Sequence, residues 1–194
     1  MAEPSTPIRR EPALPPAAGV SNARVSLAPL GPAARFSLRL APEEAAALGE
    51  VCGFPWDLAL NRCAGNDARL AARLGPDEWL LIAADADPTE LEAALAAALG
   101  SRFHSLVDVS HRNAAIEVAG PRATDVLNAG CPLDLRPAAF PEGFAGRTLL
   151  GKAEVVLLRP PAGAGLRVEC WRSFAPYVLA FLTAAASAEG GAAQ

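Results

Sequence analysis

The stretch Val107-Asp108-Val109-Ser110-His111-Arg112 places four polar residues within five positions, between apolar segments. Read as an extended strand, alternation puts Asp108, Ser110 and Arg112 on one face and Val107, Val109 and His111 on the other. An Asp and an Arg this close can form a structural ion pair or a subunit contact, or can line a ligand pocket. The residues alone leave these readings open. Ser110 and His111 do not form a nucleophile–base pair on a strand, because neighbouring side chains point to opposite faces. Cys131 paired with His111 is a weak nucleophile candidate. It follows the helix-ending Gly130 and so sits at the negative end of the helix dipole, where a thiolate is not favoured.

Other chemistry fails on spacing or context. Gly146-Arg147-Thr148-Leu149-Leu150-Gly151-Lys152 has the spacing of a phosphate-binding loop, but Ala153 replaces the metal-binding hydroxyl. The intervening residues are strand formers, so no helix N-terminus follows to hold an anion. A turn between two strands with a solvated Lys152 is the simpler reading. The glycines at 143, 146 and 151 do not give a dinucleotide fingerprint. Two histidines, His104 and His111, and cysteines at 52, 63, 131 and 170 include no paired ligand spacing for zinc. The expected assignment is no catalytic residue, no metal site and no cofactor held by this chain, with Asp108 and Arg112 as weak ligand candidates.

The densest aromatic segment is Cys170-Trp171-Arg172-Ser173-Phe174-Ala175-Pro176-Tyr177, which holds three of the eleven aromatic residues. Aromatics beside an Arg suit either core closure or an interface anchor. Trp171, Arg172, Phe174 and Tyr177 are therefore the interface candidates.

The elements that must position these residues follow from pattern. Phe36, Leu38 and Leu40 alternate with Ser37 and Arg39, a half-buried strand. Pro42-Glu43-Glu44 opens an alanine-rich helix to Gly49, with acids at the favourable end of the dipole. Gly65-Asn66-Asp67 and Gly75-Pro76-Asp77-Glu78 mark turns, and Trp79-Leu80-Leu81-Ile82 reads as a buried strand. Asp87, Pro88 and Glu90 predict a capped helix over 88–99, with Leu91, Leu95 and Leu99 as one stripe and Gly100 ending it. Strands are expected from Phe103 to Val109, Ala115 to Ala119, Thr148 to Leu150, Ala153 to Arg159 and Leu166 to Trp171. Gly163-Ala164-Gly165 would turn the last hairpin. A short helix is expected after Gly120-Pro121, through Ala129. Ser173 is expected to cap a final helix burying Phe174, Val178, Phe181 and Leu182. This order implies an α+β fold with antiparallel sheets and packed helices, in two small interlocked subdomains. The expected divisions are a proline-rich tail at 1–22, subdomains at 23–101 and 102–188, and a disordered end at 189–194.

Composition narrows the class. The 194 residues include 44 alanines and 16 arginines but only one lysine, and the net charge is −4. With a pI of about 5.2 there is no basic footprint for nucleic acid. No apolar run reaches the roughly 18 residues of a bilayer span. Residues 1–22 contain five prolines and no apolar segment of a signal peptide. The cysteines then read as free thiols in a reducing cytoplasm.

Five segments in order resemble the gamma subunit family of heterotetrameric sarcosine oxidase. They are Leu74-Gly75-Pro76-Asp77-Glu78-Trp79-Leu80-Leu81, Ser105-Leu106-Val107-Asp108-Val109-Ser110-His111-Arg112, Gly130-Cys131-Pro132-Leu133-Asp134-Leu135, Thr148-Leu149-Leu150-Gly151-Lys152-Ala153-Glu154 and Trp171-Arg172-Ser173-Phe174-Ala175-Pro176-Tyr177. The resemblance covers about residues 25–188. It implies a relative of the folate-binding fold of glycine-cleavage T-protein, with Asp108-Val109-Ser110-His111 before Gly120-Pro121 similar to a T-protein pattern. It also implies a complex that oxidatively demethylates sarcosine to glycine, forming hydrogen peroxide and methylene-tetrahydrofolate. FAD, FMN, NAD and tetrahydrofolate are then expected on other subunits, and alpha, beta and delta subunits as partners. The gamma chain is expected to be non-catalytic and to dock on alpha. The alternatives are a gamma-type subunit of a related N-methyl amino acid dehydrogenase, or a stand-alone folate-binding aminomethyltransferase-like protein.

Overall fold

A computed structural model describes residues 12–84, 86–161, 163 and 165–190. In chain order the elements are β1 (Val20–Ser21), β2 (Ser26–Pro29), β3 (Ala34–Leu40), α1 (Pro42–Leu48), β4 (Glu50–Val51), β5 (Phe54–Pro55), β6 (Arg62–Gly65), β7 (Arg69–Gly75), β8 (Glu78–Ala83) and α2 (Pro88–Leu99). They continue as β9 (His104–Asp108), β10 (Asn113–Ala119), α3 (Ala123–Asn128), β11 (Phe144–Leu150), β12 (Ala153–Arg159), β13 (Gly165–Trp171) and α4 (Ala175–Gly190). Short 3-10 turns cover Pro16–Ala18 and Arg172–Phe174.

Local chemistry accounts for the elements read from sequence. The Asp87 carboxylate accepts from the Thr89 and Glu90 backbone N–H groups, and α2 buries Leu91, Leu95 and Leu99. Pro42 fits the first turn of α1, where its missing N–H costs nothing. In the β6–β7 hairpin, the Asn66 side chain accepts from Ala68 and Arg69 N–H groups. At Gly65, φ is +129° and an added Cβ would stand 2.0 Å from the Arg69 carbonyl oxygen, so the turn requires glycine.

The N-terminal stretch departs from the tail reading. Within 1–22, residues 16–21 carry a 3-10 turn and β1, β1 pairs antiparallel with β2, and Leu14 is buried. The Asn22 side chain closes this hairpin by accepting from the Arg24 and Val25 N–H groups. Proline removes donors but not acceptors or apolar surface, so a proline-rich segment can still dock. Residues 1–11 and 191–194 lie outside the described residues. Ser173 lies inside the second 3-10 turn and α4 begins at Ala175, so Ser173 is not the cap of the helix.

Eleven strands form one antiparallel sheet in the order β1-β2-β10-β13-β12-β11-β6-β7-β8-β3-β9. The join between its halves is narrow, since β11 and β6 share the single register pair Phe144 with Arg62. The chain crosses over twice. β2 from the first half pairs with β10 of the second, and β9 from the second half pairs with β3 of the first.

Each half carries its own helices. Ile116, Val118, Val155, Leu157, Leu166 and Val168 pack under α3 and α4 with Val126, Val178 and Leu182. Phe36, Leu38, Trp79 and Leu81 pack under α2 with Leu95 and Leu99. The opposite faces meet in a third cluster, where Leu70, Ala72, Leu80 and Ile82 contact Ala145 and Leu158. β8 is therefore buried along its whole length, covered by helix on one face and by the other half on the other.

That seam contains charge. Arg35 on β3 and Glu169 on β13 are each 1% exposed, although they are 134 residues apart. Arg35 Nε donates to Glu169 Oε2 at 2.8 Å and Arg35 Nη2 to Oε1 at 3.2 Å. Arg167 Nε adds a third bond to Oε1 at 2.8 Å. Burial alone would push the Glu169 carboxyl up. The Arg167 and Arg35 charges and their hydrogen bonds outweigh it and hold the group below its ordinary value. A second tie joins the halves where Arg147 on β11 forks onto Glu78 on β8, with Arg39 also on Glu78 at 3.1 Å. The hydrogen bond from Arg147 is the chief reason the Glu78 carboxyl lies below its ordinary value.

Glu169→Gln leaves the buried Arg35 guanidinium and the partly buried Arg167 short of a counter-charge and should cost about 3–5 kcal/mol near neutral pH, read by urea unfolding. The Glu169 carboxyl is depressed in the fold, so its contribution is full above the ordinary carboxylate range and disappears as pH falls through the folded value. The gap between wild type and variant should therefore close in acid. A gap that does not narrow as the pH falls below the ordinary carboxylate range would refute the assignment.

Candidate functional site

β9 stops at Asp108, and Ser110, His111 and Arg112 form a turn. The expected alternation therefore breaks after Asp108. The turn is held locally: the Asp108 carboxylate accepts from the Ser110 N–H at 2.7 Å and from the Ser110 hydroxyl. The same hydroxyl oxygen accepts from the Arg35 N–H at 2.9 Å. The Val109 N–H donates to the Arg35 carbonyl at 2.8 Å. Ser110 is thus a buried clip between the turn and β3, engaged on both sides.

Asp108 and Arg112 are both exposed, and among the described residues they form no ion pair with each other. Arg112 Nε donates to the Asn113 side chain at 3.2 Å. The buried ion pair of this region is instead that of Arg35 and Glu169, reached from the turn through Ser110 and through Asn113, whose amide lies 3.5 Å from Glu169 Oε2.

The nucleophile candidates fare similarly. Cys131 is buried with its Sγ 3.8 Å from the Thr148 hydroxyl. Burial pushes the Cys63 and Cys170 thiols up to about 12, which keeps them protonated and unreactive. Among the described residues no group of three His, Cys, Asp or Glu side chains could hold a metal ion. Lys152 sits in the turn between β11 and β12, so the glycine-lysine stretch runs from strand to strand.

Two cavities flank the seam and share residues 30–33. One, of about 40 Å³, is lined by Arg35, Ser110, His111 and Arg172 among others. The larger, of about 510 Å³, has Asp67, Glu117 and Arg167 as its charged lining. Arg167 is bound to Glu169, so the remaining charges are acidic and do not suit the carboxylates of a folate tail. Neither Asp108 nor Arg112 lines these two cavities.

The aromatic segment divides in two. Trp171 and Phe174 are 48% and 38% exposed, with ring centroids 6.4 Å apart, and Arg172 beside them is exposed. Phe174 therefore does not join the buried side of α4. The reason is the 3-10 turn, which sets it outside the helical stripe formed by Val178 and Leu182. Tyr177 is 37% exposed but also structural: its hydroxyl accepts from the Lys152 N–H at 3.0 Å. Gly151 has φ +59° and comes so close to Tyr177 that an added Cβ would lie 2.3 Å from the hydroxyl. At Gly130 an added Cβ would lie 2.4 Å from the Phe181 ring, and Gly151 N–H donates to the Gly130 carbonyl at 3.0 Å. Gly130, Gly151 and Tyr177, from three separate sequence motifs, thus meet at one packing point.

Comparison with known proteins identifies the family and the fold. A family model described as "Sarcosine oxidase, gamma subunit family" matches residues 39–189. The sarcosine oxidase subunit gamma of Corynebacterium sp. (strain P-1) is 35% identical over 162 residues, covering 80% of this chain and 79% of that one. That of Arthrobacter sp. is also 35% identical over 162 residues, with the same coverage. A chain of the heterotetrameric sarcosine oxidase from Corynebacterium sp. U-96, solved in complex with pyrrole 2-carboxylate, superimposes with a TM-score of 0.77 at 32% identity, covering 92% of both chains. The glycine cleavage system aminomethyltransferase T from Bartonella henselae matches at TM-score 0.61 and 13% identity, over 82% of this chain and 45% of that one, which shows a shared fold.

Replacing Tyr177 with Phe should destabilise the chain by about 0.5–1.5 kcal/mol through loss of the bond to Lys152. A thermal melt indistinguishable from wild type would show that this contact contributes nothing to the fold.

Proposed function

The chain belongs to the sarcosine oxidase gamma subunit family, and from that premise we propose that it is the non-catalytic gamma subunit of a heterotetrameric sarcosine oxidase, stabilising the assembly by docking on the alpha subunit. The observation that carries this reading is the exposed pair Trp171 and Phe174, in tilted ring contact beside Arg172 at the end of β13. Aromatic and arginine side chains are the groups most often found at the energetic centre of protein interfaces. The engaged Ser110, Cys63 and Cys170 supply no activated nucleophile to compete with this reading.

In this account the complex oxidises sarcosine with oxygen to glycine and hydrogen peroxide and passes the methyl carbon to tetrahydrofolate as methylene-tetrahydrofolate. FAD, FMN, NAD and tetrahydrofolate sit on other subunits, and no chemical step passes through this chain. Alpha, beta and delta subunits are its partners, and the assembly is cytoplasmic. The same role holds if the complex acts on another N-methyl amino acid, because the substrate is bound elsewhere. What this chain contributes is a rigid face. Trp171 lies two residues beyond Glu169 on β13, so the ion cluster that fixes the strand also fixes the aromatic pair.

The double variant Trp171→Ala, Phe174→Ala should melt within about 1 kcal/mol of wild type, since both rings are half-exposed and lie outside the buried core clusters. Co-purification of the other subunits with the tagged variant should fall by at least about tenfold. Capture equal to wild type by a folded variant would refute docking through this face.

A further inference from the structure

The docking reading leaves open what chemistry the partner presents. Arg172 follows Trp171 directly, and its N–H donates to the Arg112 carbonyl at 2.7 Å, so Arg112 and Arg172 sit side by side at the adjoining ends of β10 and β13. His111 precedes Arg112, and all three side chains are exposed. Of the other arginines, Arg35, Arg39, Arg102, Arg122, Arg136, Arg147 and Arg167 each hold a carboxylate, and Arg62, Arg73 and Arg159 lie over aromatic rings of the chain itself. Arg112 and Arg172 hold none among the described residues. Two guanidiniums that hold no carboxylate, Arg112 being bonded only to the Asn113 side chain, lie next to two half-exposed aromatic rings and form a local cationic, apolar face on a chain whose net charge is −4.

Resting on the docking reading above, we propose that this face recognises an acidic protein surface: Asp or Glu carboxylates of a partner subunit pair with Arg112 and Arg172, around an apolar patch that receives Trp171 and Phe174. The guanidinium fork matches a carboxylate in two-point geometry, and the charges steer the encounter. A second copy of the chain is a poor occupant, because a two-fold contact through this face would set the arginines of one copy against those of the other. A nucleic acid is opposed by the net negative charge of the whole chain. The interaction is therefore predicted to be heterologous and salt-sensitive.

The test uses the full-length tagged chain co-expressed with the other three subunits, captured at about 50 mM and about 500 mM NaCl. Wild type should retain severalfold less partner at high salt. Arg112→Glu, Arg172→Glu should retain at least about tenfold less at low salt while melting like wild type, and the paired Arg→Lys variant should retain most of the capture. If the charge reversal captures normally while the Trp171→Ala, Phe174→Ala variant does not, the acidic partner is overturned and docking stands. If both variants capture normally, docking through this face itself fails. If the reversal does not fold, Arg112→Gln and Arg172→Gln separately replace it, each expected to lower capture about threefold; two normal results overturn the proposal. Wild-type self-association abolished by the reversal, or co-purifying nucleic acid absorbance lost with it, also overturns the proposal in favour of those occupants.

Discussion

Glu169 is a carboxylate almost without access to water, held between two guanidiniums, and the arrangement of the molecule follows from satisfying it. A buried charge of this kind is tolerated only with its counter-charges and hydrogen bonds in place. Arg35 must come from β3 and Arg167 from β13 itself, so the faces of two half-sheets have to meet. Once they meet, Leu80 and Ile82 on one side cover Leu158 and Ala145 on the other, and β8 is sealed on both faces. The single register pair between β6 and β11 is a slender hydrogen-bonded continuation of the sheet; the ionic contacts and the apolar seam reinforce the join.

The same cluster organises the surface. Ser110 binds the Arg35 backbone, Asn113 approaches Glu169, and Trp171 lies two residues along the same strand. A turn that looks rich in chemistry is thereby explained as the edge of a structural lock. Its polar groups face either inward, engaged with one another, or outward to solvent. The glycines of the other motifs have a parallel explanation: Gly130 and Gly151 are small because Phe181 and Tyr177 occupy the space beside them. Shared fold with an aminomethyltransferase is therefore compatible with a different use of the scaffold.

Much of the fold was legible locally. The helix 88–99 was marked at both ends by Asp87, Pro88 and Gly100, and hairpins were marked by Gly65-Asn66-Asp67 and by the turn before Glu78. Long-range features were not. On β13, Leu166, Val168 and Cys170 alternate with Arg167 and Glu169, a pattern that reads as one buried and one solvated face. No local signal says that the charged face is covered by another half-sheet carrying Arg35. Charge on a strand is ordinary, and its burial is decided 134 residues away. The turn at Ser110 was missed for a related reason: alternation persists in the letters after the strand has ended, and the Asp108 side chain, by capping Ser110, ends it. Phe174 is expected inside because the helical periodicity of Val178, Phe181 and Leu182 extends back to it, but the 3-10 turn shifts its direction. The aromatic cluster itself was visible from composition alone, although only the exposures separate the solvated Trp171 and Phe174 from the anchored hydroxyl of Tyr177.

The central claim is that this chain contributes structure and not chemistry to its complex. The direct measurement is to purify the complex with and without the chain and compare its mass, thermal stability and sarcosine-dependent peroxide formation, alongside the isolated chain. The account predicts that the isolated chain forms no peroxide and that the remaining subunits, without it, yield a smaller or less stable complex. A complex that assembles with equal stability and full activity in its absence, or an isolated chain that turns over substrate, would contradict the account.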